Sequence, residues 1–122
     1  MLGYQNLLGI DPANICVQNT RSQSSATAMV GSLSKIPENI GKFDLIILSH
    51  VLEHVQDLNQ AIFEVSNLVS ENGSVFVELP DATRYADHVV APFQEFNTEH
   101  INHFSQIGLM NLMRCALPVL KN

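Results

Sequence analysis

The sequence predicts an α/β fold, a mainly parallel sheet flanked by helices, on three observations. Phe43-Asp44-Leu45-Ile46-Ile47-Leu48-Ser49 holds an unbroken apolar run from Leu45 to Leu48, the pattern of a strand buried on both faces. Asp57 to Ser70 carries apolar residues at helical spacing, and Ser74 to Leu79 reads as another strand. Strand, helix, strand in that order is one crossover unit, and such units are parallel and right-handed in nearly every case.

The remaining elements follow in chain order. Leu7-Leu8-Gly9-Ile10 is a short apolar run that reads as a strand. Asp11 can cap a helix behind it, with Pro12 at the first helical position, and that helix runs to about Thr20 with Ile15, Cys16 and Val17 for packing. Arg21 to Ser25 is polar and serine-rich, the composition of a loop. Ala26 to Val30 is a weaker strand, ended by Gly31-Ser32, and Ser34 to Lys42 is connection. In the helix from Asp57, the residues Leu58, Ala61, Ile62, Val65, Leu68 and Val69 form one apolar face. Asp57 with Gln60 resembles a capping box, and Asn72-Gly73 reads as the stop. Ala82 to Thr98 has no period and is longer than most connections, a length typical of lids and binding loops. Ser105 can cap a last helix, Gln106 to about Ala116, and Pro118-Val119-Leu120 can open a further strand.

Composition bounds the function classes. A chain of 122 residues predicts one domain, and 46% hydrophobic residues place it among globular chains rather than disordered ones. Six Lys plus Arg against twelve Asp plus Glu give a net charge of −6, with no basic cluster. Nucleic acid and anionic membrane are therefore poor partners. No apolar run approaches the roughly 20 residues that span a bilayer. The N-terminus lacks the pattern of a secretory signal. Cys16 and Cys115 belong to no CxxC pair and read as reduced, packed thiols of a cytoplasmic protein.

Ligands of open α/β sheets collect at the carboxyl ends of strands. There the chain delivers Asp11 after the first strand and Ser49-His50 after the third, with Glu53 and His54 one turn on. His50-Val51-Leu52-Glu53-His54 also spells H-x-x-E-H, the signature of zinc peptidases in which two His bind metal and Glu serves as base. A third ligand for such a site could come from Glu64 or Glu78. The context argues against it, because the motif belongs inside a long helix and the first His here ends an apolar strand.

The ordered set FDLIILSHVLEHVQD, helix, Asn-Gly and SVFVELPD resembles the second half of class I S-adenosylmethionine-dependent methyltransferases. LLGIDPA is similar to that family's second strand with its terminal acid. EHINHFSQIGLMNLM is similar to the segment after the fifth strand in small-molecule enzymes, sugar C-methyltransferases among them. The resemblance implies a partial Rossmann-like methyltransferase domain across residues 1–122, with S-adenosylmethionine as cofactor and a small-molecule substrate. Cofactor contacts are implied at Asp11, Pro12, Ser49 and His50, a catalytic base at His100, and no metal.

Asp11 would accept hydrogen bonds from the two ribose hydroxyls, a task suited to a group with acceptor oxygens and no donor; otherwise it is a helix cap. Ser49 and His50 would border the methyl donor. The acceptor must lose a proton, and a His with an ordinary pKa of about 6.5 is a natural base; His100 matches the family position, while Asn97 replaces the family's accompanying tyrosine. Tyr85, Phe93 and Phe96 would either wall an acceptor pocket or pack the loop. The family's glycine-rich first motif finds no counterpart, so a truncated domain is expected, inactive alone or serving as an assembly module. The strands ending at Asp11 and Ser49 would then pair directly, or a second chain, as in a homo-oligomer, would complete the sheet. A strict monomer in sedimentation equilibrium would exclude that second arrangement.

Overall fold

The computed structural model describes residues 6–87 and 91–116. The chain divides into two compact units, Met1–Ile40 and Gly41–Asn122.

The first unit is strand, helix, strand: β1 Leu8–Asp11, α1 Asn14–Gln23 and β2 Thr27–Val30. β1 and β2 are parallel, with Leu8 opposite Thr27 and Asp11 opposite Val30. Val17 and Ala28 are its buried apolar side chains among the described residues. The helix differs from expectation at both ends. Asp11 is the last residue of the strand rather than the N-cap, and its Oδ1 accepts the Ala13 N–H at 2.7 Å. Ala13 holds the N-cap position with no side-chain hydrogen bond, so Pro12 precedes the helix instead of opening it. At the other end the helix runs through Arg21-Ser22-Gln23, where the polar composition suggests a loop. Arg21 explains the extension, because its Nε and Nη2 donate to the Ala28 carbonyl at 2.9 and 2.6 Å. Cys16 is exposed on this helix rather than packed.

The second unit holds β3 Phe43–Ser49, α2 Leu58–Leu68, β4 Val69–Glu78 and α3 Gln106–Ala116, with 3₁₀ turns at Leu52–His54 and Ala82–Asp87. β3 and β4 pair in parallel, from Leu45 opposite Ser74 to Ser49 opposite Glu78. Side chains alternate along a strand. Ile46, Leu48, Val75 and Val77 share the more protected face, and Leu45, Ile47 and Phe76 share the other, where they are 49%, 61% and 52% exposed. The expectation of burial on both faces is thus met on one only. Among the described residues the sheet pairings are β1 with β2 and β3 with β4.

Ile62 and Val65 of α2 are fully buried, with Ala61 beside them, as the apolar face requires. Asp57 is the N-cap and accepts the Gln60 N–H at 3.0 Å, but the Gln60 side chain turns to Glu64 instead of completing a capping box. Lys42 Nζ donates to the Asn67 carbonyl at 3.0 Å, satisfying one of the acceptors that a helix end leaves open. The helix stops at Leu68, not at Asn72-Gly73, because Val69 already pairs with Phe43. Gly73 serves close approach rather than a left-handed turn: a Cβ there would sit 2.8 Å from the Phe43 carbonyl oxygen. The last helix begins as expected, with Ser105 Oγ accepting the Gly108 N–H at 3.0 Å. The strand suggested at Pro118-Val119-Leu120 lies outside the described residues.

Two substitutions test this account by chemical denaturation. Asp57→Ala is expected to cost about 1 kcal/mol through the lost cap. Gly73→Ala is expected to cost about 1–3 kcal/mol, because backbone must move to admit the methyl group. Wild-type stability in Gly73→Ala would refute the close-approach reading.

Candidate functional site

The parallel ladder carries the chain to Ser49, and the His50 N–H still donates to the Glu78 carbonyl at 2.9 Å. The strand breaks there because His50 takes φ 53, the left-handed region. That conformation costs a non-glycine residue roughly 1–2 kcal/mol. It throws the chain into the 3₁₀ turn Leu52–His54, so H-x-x-E-H lies across a strand end and one short turn, not on a helix. The zinc-peptidase arrangement therefore does not form. His50 instead points Nδ1 at Glu53 Oε1, 3.1 Å away, and its side chain is 57% exposed.

Glu53 lies under this turn. It is 1% exposed, the one buried charged side chain among the described residues. Its Oε1 faces His50, whereas its Oε2 is buried without a hydrogen-bond partner. Leaving a buried polar atom unpartnered costs on the order of 1–3 kcal/mol, and more for a charged one. The Glu53 backbone is well satisfied: its carbonyl accepts the Ile101 and Asn102 N–H groups at 2.9 and 3.0 Å. Asn102 Nδ2 donates in turn to the carbonyls of Leu52 and Val55. These bonds fasten the segment before α3 onto the turn after β3.

The fastening brings histidines together. His54 Nδ1 lies 2.8 Å from the Glu99 carbonyl and His100 Nδ1 2.9 Å from the Glu95 carbonyl. A carbonyl only accepts, so Nδ1 carries the hydrogen in both rings, and in the neutral ring Nε2 holds the lone pair. The two rings meet edge-on, centroids 4.9 Å apart. Asn97, where the resemblance expects a tyrosine, caps this loop, its Oδ1 accepting the N–H groups of Glu99 and His100. His103 stacks on Phe96 at 4.8 Å and shares a 3.1 Å hydrogen bond with the Tyr85 hydroxyl. Of the three loop aromatics only Tyr85 is buried; Phe93 and Phe96 are exposed.

At the end of β4, Asp81 Oδ1 accepts the Thr83 hydroxyl and N–H at 2.7 and 3.0 Å, which lowers its pKa below the usual carboxylate value. An open groove of about 350 Å³ lies beside it, lined by Phe76, Glu78, Asp81, Phe104, Ser105 and Leu109. In the first unit Asp11 borders a smaller hollow of about 170 Å³ with Gly9, Cys16 and Thr20. Each expected site residue thus stands at a strand end or in the loop after the sheet. The structure joins His100 to His54 and Glu53, a grouping that sequence spacing does not show. Glu53 and Asn102 carry the assembly. The only sequence signal for them is a charged residue between apolar Leu52 and His54, just past the polar strand end, and an amide between His100 and His103.

A family model described as a methyltransferase domain matches residues 2–116. No curated protein sequence matches the chain. Among solved structures, the chain is similar to the Haloferax volcanii complex of the Trm112 methyltransferase activator with a methyltransferase. The TM-score is 0.76 at 16% identity, over 91% of this chain and 50% of that one. A Thermotoga maritima SAM-dependent methyltransferase, a candidate histamine N-methyltransferase, aligns with TM-score 0.71 at 21% identity, over 90% of this chain and 53% of that one. The YcgJ protein of Bacillus subtilis aligns with TM-score 0.68 at 14% identity, over 92% and 52%. These likenesses establish the α/β Rossmann-like fold, and the chain spans about half the length of each.

Tyr85 offers a direct check of the packing around the histidines. Burial, then the nearby Glu95, Glu53 and Asp81, raise its pKa above the ordinary 10.0. The native state therefore favours the neutral phenol. That contribution is complete below the unfolded value near 10 and fades as pH rises through the folded one. Ultraviolet titration should show a tyrosinate phase above the ordinary value that disappears in Tyr85→Phe. A single phase at the ordinary value would contradict the packing.

Proposed function

The chain belongs to the methyltransferase-domain family, and from that premise we propose that it takes part in methyl transfer from S-adenosylmethionine to a small-molecule acceptor. The observation that carries the reading is chemical: each parallel pair ends in polar groups suited to this cofactor. Asp11, at the carboxyl end of β1, has one oxygen anchored by the Ala13 N–H and is only half-buried, with acceptor capacity to spare. Two vicinal hydroxyls, as on a ribose, are complementary to such a carboxylate. Pro12 follows it and restrains the backbone beside the sugar. After β3, Ser49 and His50 supply polar groups at the turn where the left-handed residue halts the strand. When bound, the cofactor supplies the electrophilic methyl group.

The acceptor side of the reading rests on His100. Its Nδ1–H is held by the Glu95 carbonyl, so Nε2 is the nitrogen able to take a proton from an acceptor hydroxyl, amine or activated carbon. A small amine, as named for the Thermotoga relative, belongs to this acceptor class. A partner chain also belongs to the reading, because Leu45, Ile47 and Phe76 form an exposed apolar patch of the kind that other protein covers.

Calorimetric titration of the protein with S-adenosylhomocysteine tests the donor side. Asp11→Ala should weaken binding about 10- to 100-fold, the loss of charge-assisted hydrogen bonds worth roughly 1.5–3 kcal/mol. Unchanged affinity would remove the ribose assignment.

A further inference from the structure

We propose that Glu53, His54 and His100 form a binding site for a divalent first-row transition-metal ion. One ligand atom from each lies within 4.8 Å of the other two. Three observations beyond this proximity point to a cation. Glu53 Oε2 is buried and unpartnered, a carboxylate oxygen with an open lone pair in the protein interior. Both imidazoles donate Nδ1–H to backbone carbonyls, those of Glu99 and Glu95. That is how metal-binding histidines are oriented, with the far nitrogen presented to the ion. The cluster also stands on a fastened base, since the Glu53 carbonyl and Asn102 lock the two contributing segments together.

The donor set selects the ion. Two imidazole nitrogens and one carboxylate oxygen suit zinc, iron, cobalt or nickel, whereas magnesium and calcium prefer oxygen alone. Metal–ligand bonds of about 2.1 Å place neighbouring ligands roughly 3–3.5 Å apart, so loading draws the side chains inward by about an ångström. Three protein ligands leave a position open for water or an acceptor oxygen. The site is not the H-x-x-E-H arrangement, because His50 is outside the cluster and His100 comes from the other segment. In the loaded protein the His100 lone pair is on the ion, so its roles as ligand and as base exclude one another.

The observations behind the site do not draw on the methyl-transfer reading, although an ion there would take His100 from the base role, and the test needs neither cofactor nor turnover. Equilibrium dialysis with Co²⁺ should give one ion per chain, with visible ligand-field absorption. His54→Ala and His100→Ala should each weaken binding by at least the roughly 10- to 100-fold seen when even an outer partner of a metal ligand is lost. His103→Ala, a histidine outside the cluster, should leave binding unchanged. Should a truncation unfold the turn, Co²⁺ broadening of the His54 and His100 ring resonances in the wild-type protein reads the same assignment. No stoichiometric Co²⁺ binding, binding that survives both substitutions, or a preference for Mg²⁺ would overturn the proposal.

Discussion

The turn that follows β3 cannot satisfy its own backbone. A single 3₁₀ turn closes few hydrogen bonds, and buried carbonyls left without donors are costly. The carbonyls of Leu52, Glu53 and Val55 therefore take donors from a distant stretch of chain, the N–H groups of Ile101 and Asn102 and the Asn102 side-chain amide. That one arrangement closes the strand end and places the segment before α3. It also sets His54 edge-on to His100. The bridge between Asp81 and Phe104, with the Ala82 N–H donating to the Phe104 carbonyl, holds the far end of the same segment.

The costs gathered at this place have a common direction. His50 accepts a left-handed backbone, and Glu53 keeps a carboxylate in the interior with one oxygen unpartnered. Neither improves stability. Strained backbone and unsatisfied buried polar atoms persist where surrounding structure over-determines them, and they concentrate at functional sites. Here the surrounding structure is the parallel ladder on one side and the Asn102 fastening on the other.

Each unit is built on a parallel pair joined through a helix, a connection that requires a helix-length crossover. Two-stranded sheets protect little surface. In the second unit one sheet face is drawn into the core with Leu48, while Leu45, Ile47 and Phe76 remain open on the other. The aligned structures are about twice as long as this chain, so a fold of this kind commonly carries more protein around the part described here.

The sequence by itself determined the local elements whose signals are strong. The apolar run sets β3 at Phe43–Ser49, and the Ser105 cap starts α3 at Gln106, because both depend on neighbours within a few residues. Polar strand ends at Asp11 and Ser49-His50 were legible for the same reason. Where a distant partner competes with a local signal, the distant partner prevails. Arg21 extends α1 by reaching the Ala28 carbonyl, and pairing with Phe43 draws Val69 out of α2 despite the Asn-Gly stop ahead. Only the tertiary structure decided which histidine joins which carboxylate. Glu53 and His54 meet His100 through hydrogen bonds between segments far apart in the chain, and neither spacing nor composition encodes such a contact.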